Sequence, residues 1–178
     1  MSRRPLRIFV AAEWVAWRPF RPLFRIMDAI PVDRDRRNPD SLEAAVAALE
    51  RGEVVALFPE GGIRNQGTLG PFRQGTARLV LRTGVPVLPA VIIGSYEAQP
   101  WPRMLPRPSR ITIRSGELLR FPARTEGRPR PDELAAVTDR IREAMRGLLE
   151  RGHDERSLAS SPALGGERAR GTERPEES

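Results

Sequence analysis

Cysteine and lysine are both absent from the sequence, and histidine occurs once, at position 153. Without cysteine there is no disulfide framework, no thiolate nucleophile and no cysteine-based metal site, and the redox compartment is left open. Without lysine, all 30 positive side chains are arginine. A coding bias toward arginine codons is the plainest account of that. It still has a physical result: the formal charge of +7 is permanent and is carried by planar forks suited to phosphate. Long hydrophobic runs are missing too. The most apolar N-terminal stretch, residues 8–17, is interrupted by Glu13 and followed by arginines. It is too short to span a bilayer and lacks a small-residue cleavage site, so a cytoplasmic protein is expected.

With 178 residues, 39% of them hydrophobic, the chain can build one compact domain, expected over residues 1–150. From Arg151 onward it is Ser, Gly, Glu, Arg and Pro with few apolar residues, a composition that does not offset the entropy of ordering. Residues 151–178 therefore read as a disordered tail. The charge calls for acidic partners: nucleic acid, an anionic membrane surface or a phosphorylated small molecule. Charge alone does not choose among them, although no nucleic-acid-binding module is recognisable and specific nucleic-acid binding is not expected.

Along the chain, the apolar run LRIFVAA at 6–12 precedes an aromatic and arginine-rich stretch where Pro19 and Pro22 forbid a long helix. A strand is expected over AIPV at 29–32. A helix follows from an Asp40 N-cap with Glu43 three residues on, bearing Leu42, Val46 and Leu49 on one face and stopping at Gly52. EVVALF at 53–58 reads as a strand covered on both faces, 76–83 as a short helix ended by Gly84, and 85–93 as the next strand despite Pro86 and Pro89. RITIRSG at 110–116 alternates like a half-exposed strand. Residues 131–150 form an amphipathic helix with Leu134, Val137, Ile141, Met145 and Leu148 on one face. The expected fold class is α/β, a mixed, largely parallel sheet flanked by helices. Two βαβ units would share the 53–58 strand. The loops carrying Asp33-Arg34, residues 59–73 and residues 94–97 would then open on one edge, at the carboxyl ends of the strands.

The densest chemical signal is FPEGGIRNQGTLGPFRQG at 58–75, which holds five glycines, two arginines and one carboxylate. Glycines let backbone amides approach an anion closely, a helix beginning near Gly75 adds its N-terminal dipole, and Arg64 and Arg73 supply forked charge. The loop is neither a P-loop nor a dinucleotide fingerprint, because it lacks Gly-Lys-Ser/Thr and the G-x-G-x-x-G spacing. The plain alternative is that the glycines only make turns. No cofactor and no metal are expected.

FPEG at 58–61, following EVVAL, resembles the phosphate-binding block of the lysophosphatidic acid and glycerol-3-phosphate acyltransferases. AIPVDR at 29–34 resembles the block before it and VPVLP at 85–89 the block after it, in matching order. The chain is thus identified as a member of the glycerophospholipid acyltransferase family, over roughly residues 5–120. It departs from the family pattern at Gly62-Ile63, which delays the arginine by one residue to Arg64. The resemblance implies a glycerol-3-phosphate acyltransferase-like fold. It also implies transfer of an acyl group from acyl-CoA or acyl carrier protein to 1-acyl-glycerol-3-phosphate (lysophosphatidic acid), giving phosphatidic acid, at the inner face of the cell membrane. Glu60, Gly61 and Arg64 would hold the glycerol phosphate with help from Arg34, and VPVLP would form part of the acyl-chain side. Arg73 joins this set on the residues alone.

Such a reaction needs a general base on the acceptor hydroxyl. In the family the base lies in an H-x-x-x-x-D block upstream of the other three, and this sequence has none. His153 is followed five residues later by Leu158 rather than Asp and falls in the expected tail. Asp28, Asp33 and Asp35 have no histidine to support, so no catalytic residue is nominated. The expectation is an N-terminally truncated acyltransferase, with Phe9, Trp14, Trp17, Phe20 and Phe24 lacking obvious partners. The alternative is a noncatalytic phosphate- or lipid-binding protein of the membrane surface.

Overall fold

The apolar run at the amino end becomes the middle of a sheet. In the computed structural model, which describes residues 4–12, 21–26, 29–32, 39–61, 68–98, 107–124 and 127–160, β1 (Leu6–Ala11) is paired in parallel on both sides. Its second half pairs with β2 (Ile30–Val32), Phe9 opposite Ile30, and its first half with β3 (Val54–Ala56), Leu6 opposite Val54. The order among the described residues is therefore β2-β1-β3. The short helix α1 (Arg21–Ile26) separates β1 from β2, and α2 (Pro39–Glu50) carries the chain from β2 past β1 to β3. The 29–32 and 53–58 strands are parallel in one sheet, as a βαβ unit implies, but they are not neighbours: the apolar Leu6–Val10 run lies between them. Nor is β3 covered on both faces: it is three residues long and Val54 is 43% exposed.

A carboxylate staples the amino ends of this sheet. Glu53 accepts hydrogen bonds from Arg7 Nε (2.7 Å) and Arg51 Nε (2.9 Å), and the Arg51 and Arg7 guanidinium groups hold its carboxyl down at about 2.

The helices form where their sequence period places them. α2 starts at Pro39, so Asp40 lies inside the first turn and is not the N-cap; its charge still faces the positive helix end. Glu43, expected to complete a capping box, instead pairs with Arg82. Ser41 Oγ donates to the carbonyl of Pro31 (2.8 Å), tying α2 to β2. At the far end Gly52, with φ 77°, donates to Leu49 and Glu53 donates to Ala48, the Schellman arrangement that only a left-handed residue completes without strain. The next helix, α3 (Gly75–Thr83), ends as expected at Gly84, φ 65°, whose N–H returns to the Val80 carbonyl. α3 joins two clusters. Leu79 packs with Ala45 and Val46 of α2 and with Phe9, Val55 and Leu57, while Ala77, Val80 and Leu81 pack with Phe121, Leu134, Val137 and Ile141. Phe9 thus has partners; Trp14, Trp17 and Phe20 lie outside the described residues.

The second half of the chain builds differently. β4 (Ala90–Ile93) pairs antiparallel with β5 (Thr112–Ser115), Ala90 opposite Ser115 and Ile93 opposite Thr112, and Val87 bridges Leu119 beyond it. The expected parallel continuation from β3 into the 85–93 strand is corrected. Pro86 and Pro89 carry no donor N–H, so regular pairing starts only at Ala90, and the Pro89 carbonyl is used by Gly116 N–H (2.9 Å). Val91 and Ile93 turn inward onto Leu148, while Ile92 and Ile113 (71% exposed) face outward. After a single turn, α4 (Ser95–Ala98), and β5, the chain ends its described part in α5 (Pro131–Ser160). The anticipated stripe is inward: Leu134, Val137, Ile141 and Leu148 are buried and Met145 packs beside them. The helix nevertheless continues through the stretch expected to be disordered from Arg151, as far as Ser160. Its composition is polar, but Gly152 is buried where any side chain would meet Ile93, Glu155 pairs with Arg114, and Arg156 with Glu97 (3.4 Å). Residues 161–178 lie outside the described residues.

Candidate functional site

Parallel pairing puts the carboxyl ends of β1, β2 and β3 on one edge, the edge where open α/β sheets receive ligands. There β3 runs into Leu57-Phe58-Pro59-Glu60-Gly61. The chain turns at once: Gly61 N–H donates to the Phe58 carbonyl (3.1 Å), and Gly61 has φ 64°, the left-handed region in which a Cβ is unfavourable. It comes back alongside itself. Arg73 N–H donates to the Pro59 carbonyl (2.8 Å), and Gly70 N–H donates to Glu60 Oε2 (3.1 Å). Phe72 anchors the returning limb by packing on the cluster built around Ala77 and Leu81. Residues 59–61 and 70–73 are therefore two limbs of one closed loop.

Arg73 is placed by this closure. A Cβ at Gly61 would stand 2.5 Å from Arg73 Nε and 2.6 Å from its Cδ, so the arginine stem lies directly across the glycine. Gly61 is favoured by its φ, and a Cβ there would also push the Arg73 stem aside. Two residues after Arg73, α3 begins. Gln74 occupies its cap position with φ −71°, ψ −1° and makes no capping hydrogen bond through its side chain. The first-turn amides of this nine-residue helix thus follow directly on the returning limb, without a side-chain cap from Gln74.

Of the residues nominated from sequence, Glu60, Gly61 and Arg73 are brought together here, and Arg34 and Arg64 lie outside the described residues. Asp28, Asp33 and Asp35 lie outside them as well. Residues 94–97 do not join the edge through the sheet, as parallel pairing of the 85–93 strand had implied; Gly94 leads into α4, where Glu97 is held by Arg156. His153, expected in a tail, stands exposed on α5. Among the described residues no group of acidic or histidine side chains converges in a way that would hold a metal, and no helix is long and apolar enough to cross a membrane. Sequence reasoning missed Gly70 as the partner of Glu60. The signal for it was the glycine two residues before the Phe-Arg pair.

An acyltransferase-type α/β domain is the class that this fold defines. Its architecture is shared with the crystal structure of the 1-acyl-sn-glycerophosphate (LPA) acyltransferase PlsC from Thermotoga maritima, at a TM-score of 0.60 and 19% identity over 92% of this chain and 69% of that one. Residues 1–93 match the family model described as Acyltransferase. A 1-acyl-sn-glycerol-3-phosphate acyltransferase alpha of Mus musculus is 30% identical over 136 residues, 75% of this chain and 43% of its own. The chloroplastic enzyme BAT2 of Brassica napus is 34% identical over 77 residues, 42% of this chain and 22% of its own. The chain belongs to the acyltransferase family that includes the 1-acyl-sn-glycerol-3-phosphate acyltransferases, as its three sequence blocks implied. It spans less than half the length of these two relatives.

Proposed function

We propose that this chain forms the acceptor-binding part of a 1-acyl-sn-glycerol-3-phosphate acyltransferase, with Arg73, the Gly61 turn and the start of α3 receiving the phosphate of lysophosphatidic acid. The observation that carries the reading is the placement of Arg73 across Gly61 at the carboxyl end of β3. A forked cation, a glycine without a Cβ and the amino end of a helix meet there, the combination that suits a phosphate monoester. Arg34 and Arg64 would add charge. In the reaction the acceptor hydroxyl oxygen attacks the thioester carbonyl carbon of acyl-CoA or acyl carrier protein. The carbon–sulfur bond breaks, and the hydroxyl proton passes through a base to the departing thiolate. The sequence has one histidine, exposed on α5, and no residue of this chain is nominated as that base. The charge of +7 supports a reading in which the protein works at an anionic membrane surface, proposed to be the inner face of the cell membrane.

Transfer of labelled acyl groups onto lysophosphatidic acid by the protein purified from its native cells tests this directly, with intact-mass analysis of the same sample. Phosphatidic acid formation that Arg73→Ala suppresses supports the reading. The lone histidine favours a second one, a noncatalytic phosphate- or lipid-binding protein: lysophosphatidic acid bound but never converted by the native product would establish it.

A further inference from the structure

Within the proposed acceptor site, and resting on that reading for its purpose, one side chain is left with an unexpected task. Glu60 is a carboxylate in a loop proposed to receive a phosphate, and two anions in direct contact repel. One of its contacts is instead to a backbone donor on the opposite limb, the Gly70 N–H at 3.1 Å. We propose that Glu60 is a positioning residue: it clamps the two limbs of the loop so that Arg73 is held across Gly61 before any ligand arrives.

Three contacts make the clamp, each between the outgoing and the returning limb. Glu60 Oε2 takes the Gly70 N–H, the Pro59 carbonyl takes the Arg73 N–H at 2.8 Å, and the Arg73 stem occupies the space a Cβ on Gly61 would need. The backbone contact fixes where Arg73 leaves the chain. The Glu60 contact fixes the limb three residues earlier, so the returning strand of the loop cannot pivot about Arg73. An arginine side chain has several rotatable bonds, and holding its fork in advance removes ordering cost from ligand binding. Glu60 thus acts on the acceptor through Arg73. For the Gly70 contact, what matters is an acceptor oxygen at that place, as distinct from the charge.

That distinction separates two substitutions in the full-length protein. Glu60→Gln keeps an oxygen in the same position, whereas Glu60→Ala removes it. Amide hydrogen exchange at Gly70 and Arg73, measured without ligand, should rise about tenfold or more in Glu60→Ala and stay within about threefold in Glu60→Gln. Affinity for sn-glycerol 3-phosphate, the probe for the head group, should fall about tenfold in Glu60→Ala and be rescued by Glu60→Gln. Gly61→Ala, which displaces the Arg73 stem, should reduce affinity at least as much. Unchanged Gly70 exchange in Glu60→Ala overturns the clamp, as does a Glu60→Gln protein that binds the probe as poorly as Glu60→Ala. A wild-type protein with the expected exchange pattern and no affinity for the probe sinks the acceptor reading and leaves the clamp standing.

Discussion

The two halves of the molecule solve the same packing problem in opposite ways. In the first, β2, β1 and β3 run parallel, α2 and α3 cover them, and the carboxyl ends of all three strands share an edge. In the second, β4 and β5 run antiparallel against α5, one face buried on Leu148 and the other, with Ile92 and Ile113, open. Parallel strands need crossover helices, and crossovers deliver successive loops to one edge; an antiparallel pair delivers its two ends to opposite edges. The first half therefore gathers its loops on one edge, and the second packs behind it as a support. α3 is the joint, since Leu79 belongs to one core and Ala77, Val80 and Leu81 to the other.

That division can be broken by experiment. Leu134, 2% exposed in the supporting core, should cost the protein about 2–5 kcal/mol of unfolding free energy when changed to alanine, while phosphate binding well below the unfolding temperature stays intact. Denaturant unfolding alongside ligand titration would show it; parallel losses in both would mean that the halves are not separable. Arg73→Ala should do the reverse. Removing the forked cation should lower affinity for lysophosphatidic acid by about 2 kcal/mol, roughly thirtyfold, with little change in unfolding. Calorimetric titration reads the first quantity and thermal melting the second.

A smaller effect concerns the staple of the parallel half. Arg51 and Arg7 depress the Glu53 carboxyl from its ordinary 4.5 to about 2, so the folded state binds this proton less readily than the unfolded chain. The stabilisation is then fully present above about 4.5 and is lost as pH falls toward 2. Melting temperatures of wild type and Glu53→Gln should differ near neutrality and converge over that window; a constant gap would assign the effect to packing. The smallest change is expected at Glu43. Its exposed pair with Arg82, which also lowers the Glu43 pKa, lies on the surface between α2 and α3, and Glu43→Gln should leave the melting temperature within measurement error.

Much of the helical frame was legible because its signals are local. Leu134, Val137, Ile141 and Leu148 recur at helical spacing and are buried together, and Gly52 and Gly84 stop their helices where a left-handed residue was called for. The loop at 58–75 stood out for a similar reason, its glycines and arginines lying close in sequence. The strand neighbours were not legible. LRIFV reads as apolar without saying that it sits between Ile30–Val32 and Val54–Ala56, and Ala90–Ile93 does not announce Thr112–Ser115 as its partner. The last turns of α5 look like tail until Gly152 is seen against Ile93.

By itself, the sequence determined the family, the α/β class, the helix stops and the loop that gathers Gly61 and Arg73, because period, turn chemistry and short motifs act over a few residues. Only the tertiary structure decided which strand lies in the middle, how far the last helix runs, and that the Glu60 carboxylate meets the Gly70 N–H. Those outcomes depend on competition among partners far apart in the chain. A hydrogen bond has the same chemistry whichever partner is chosen, and packing makes the choice.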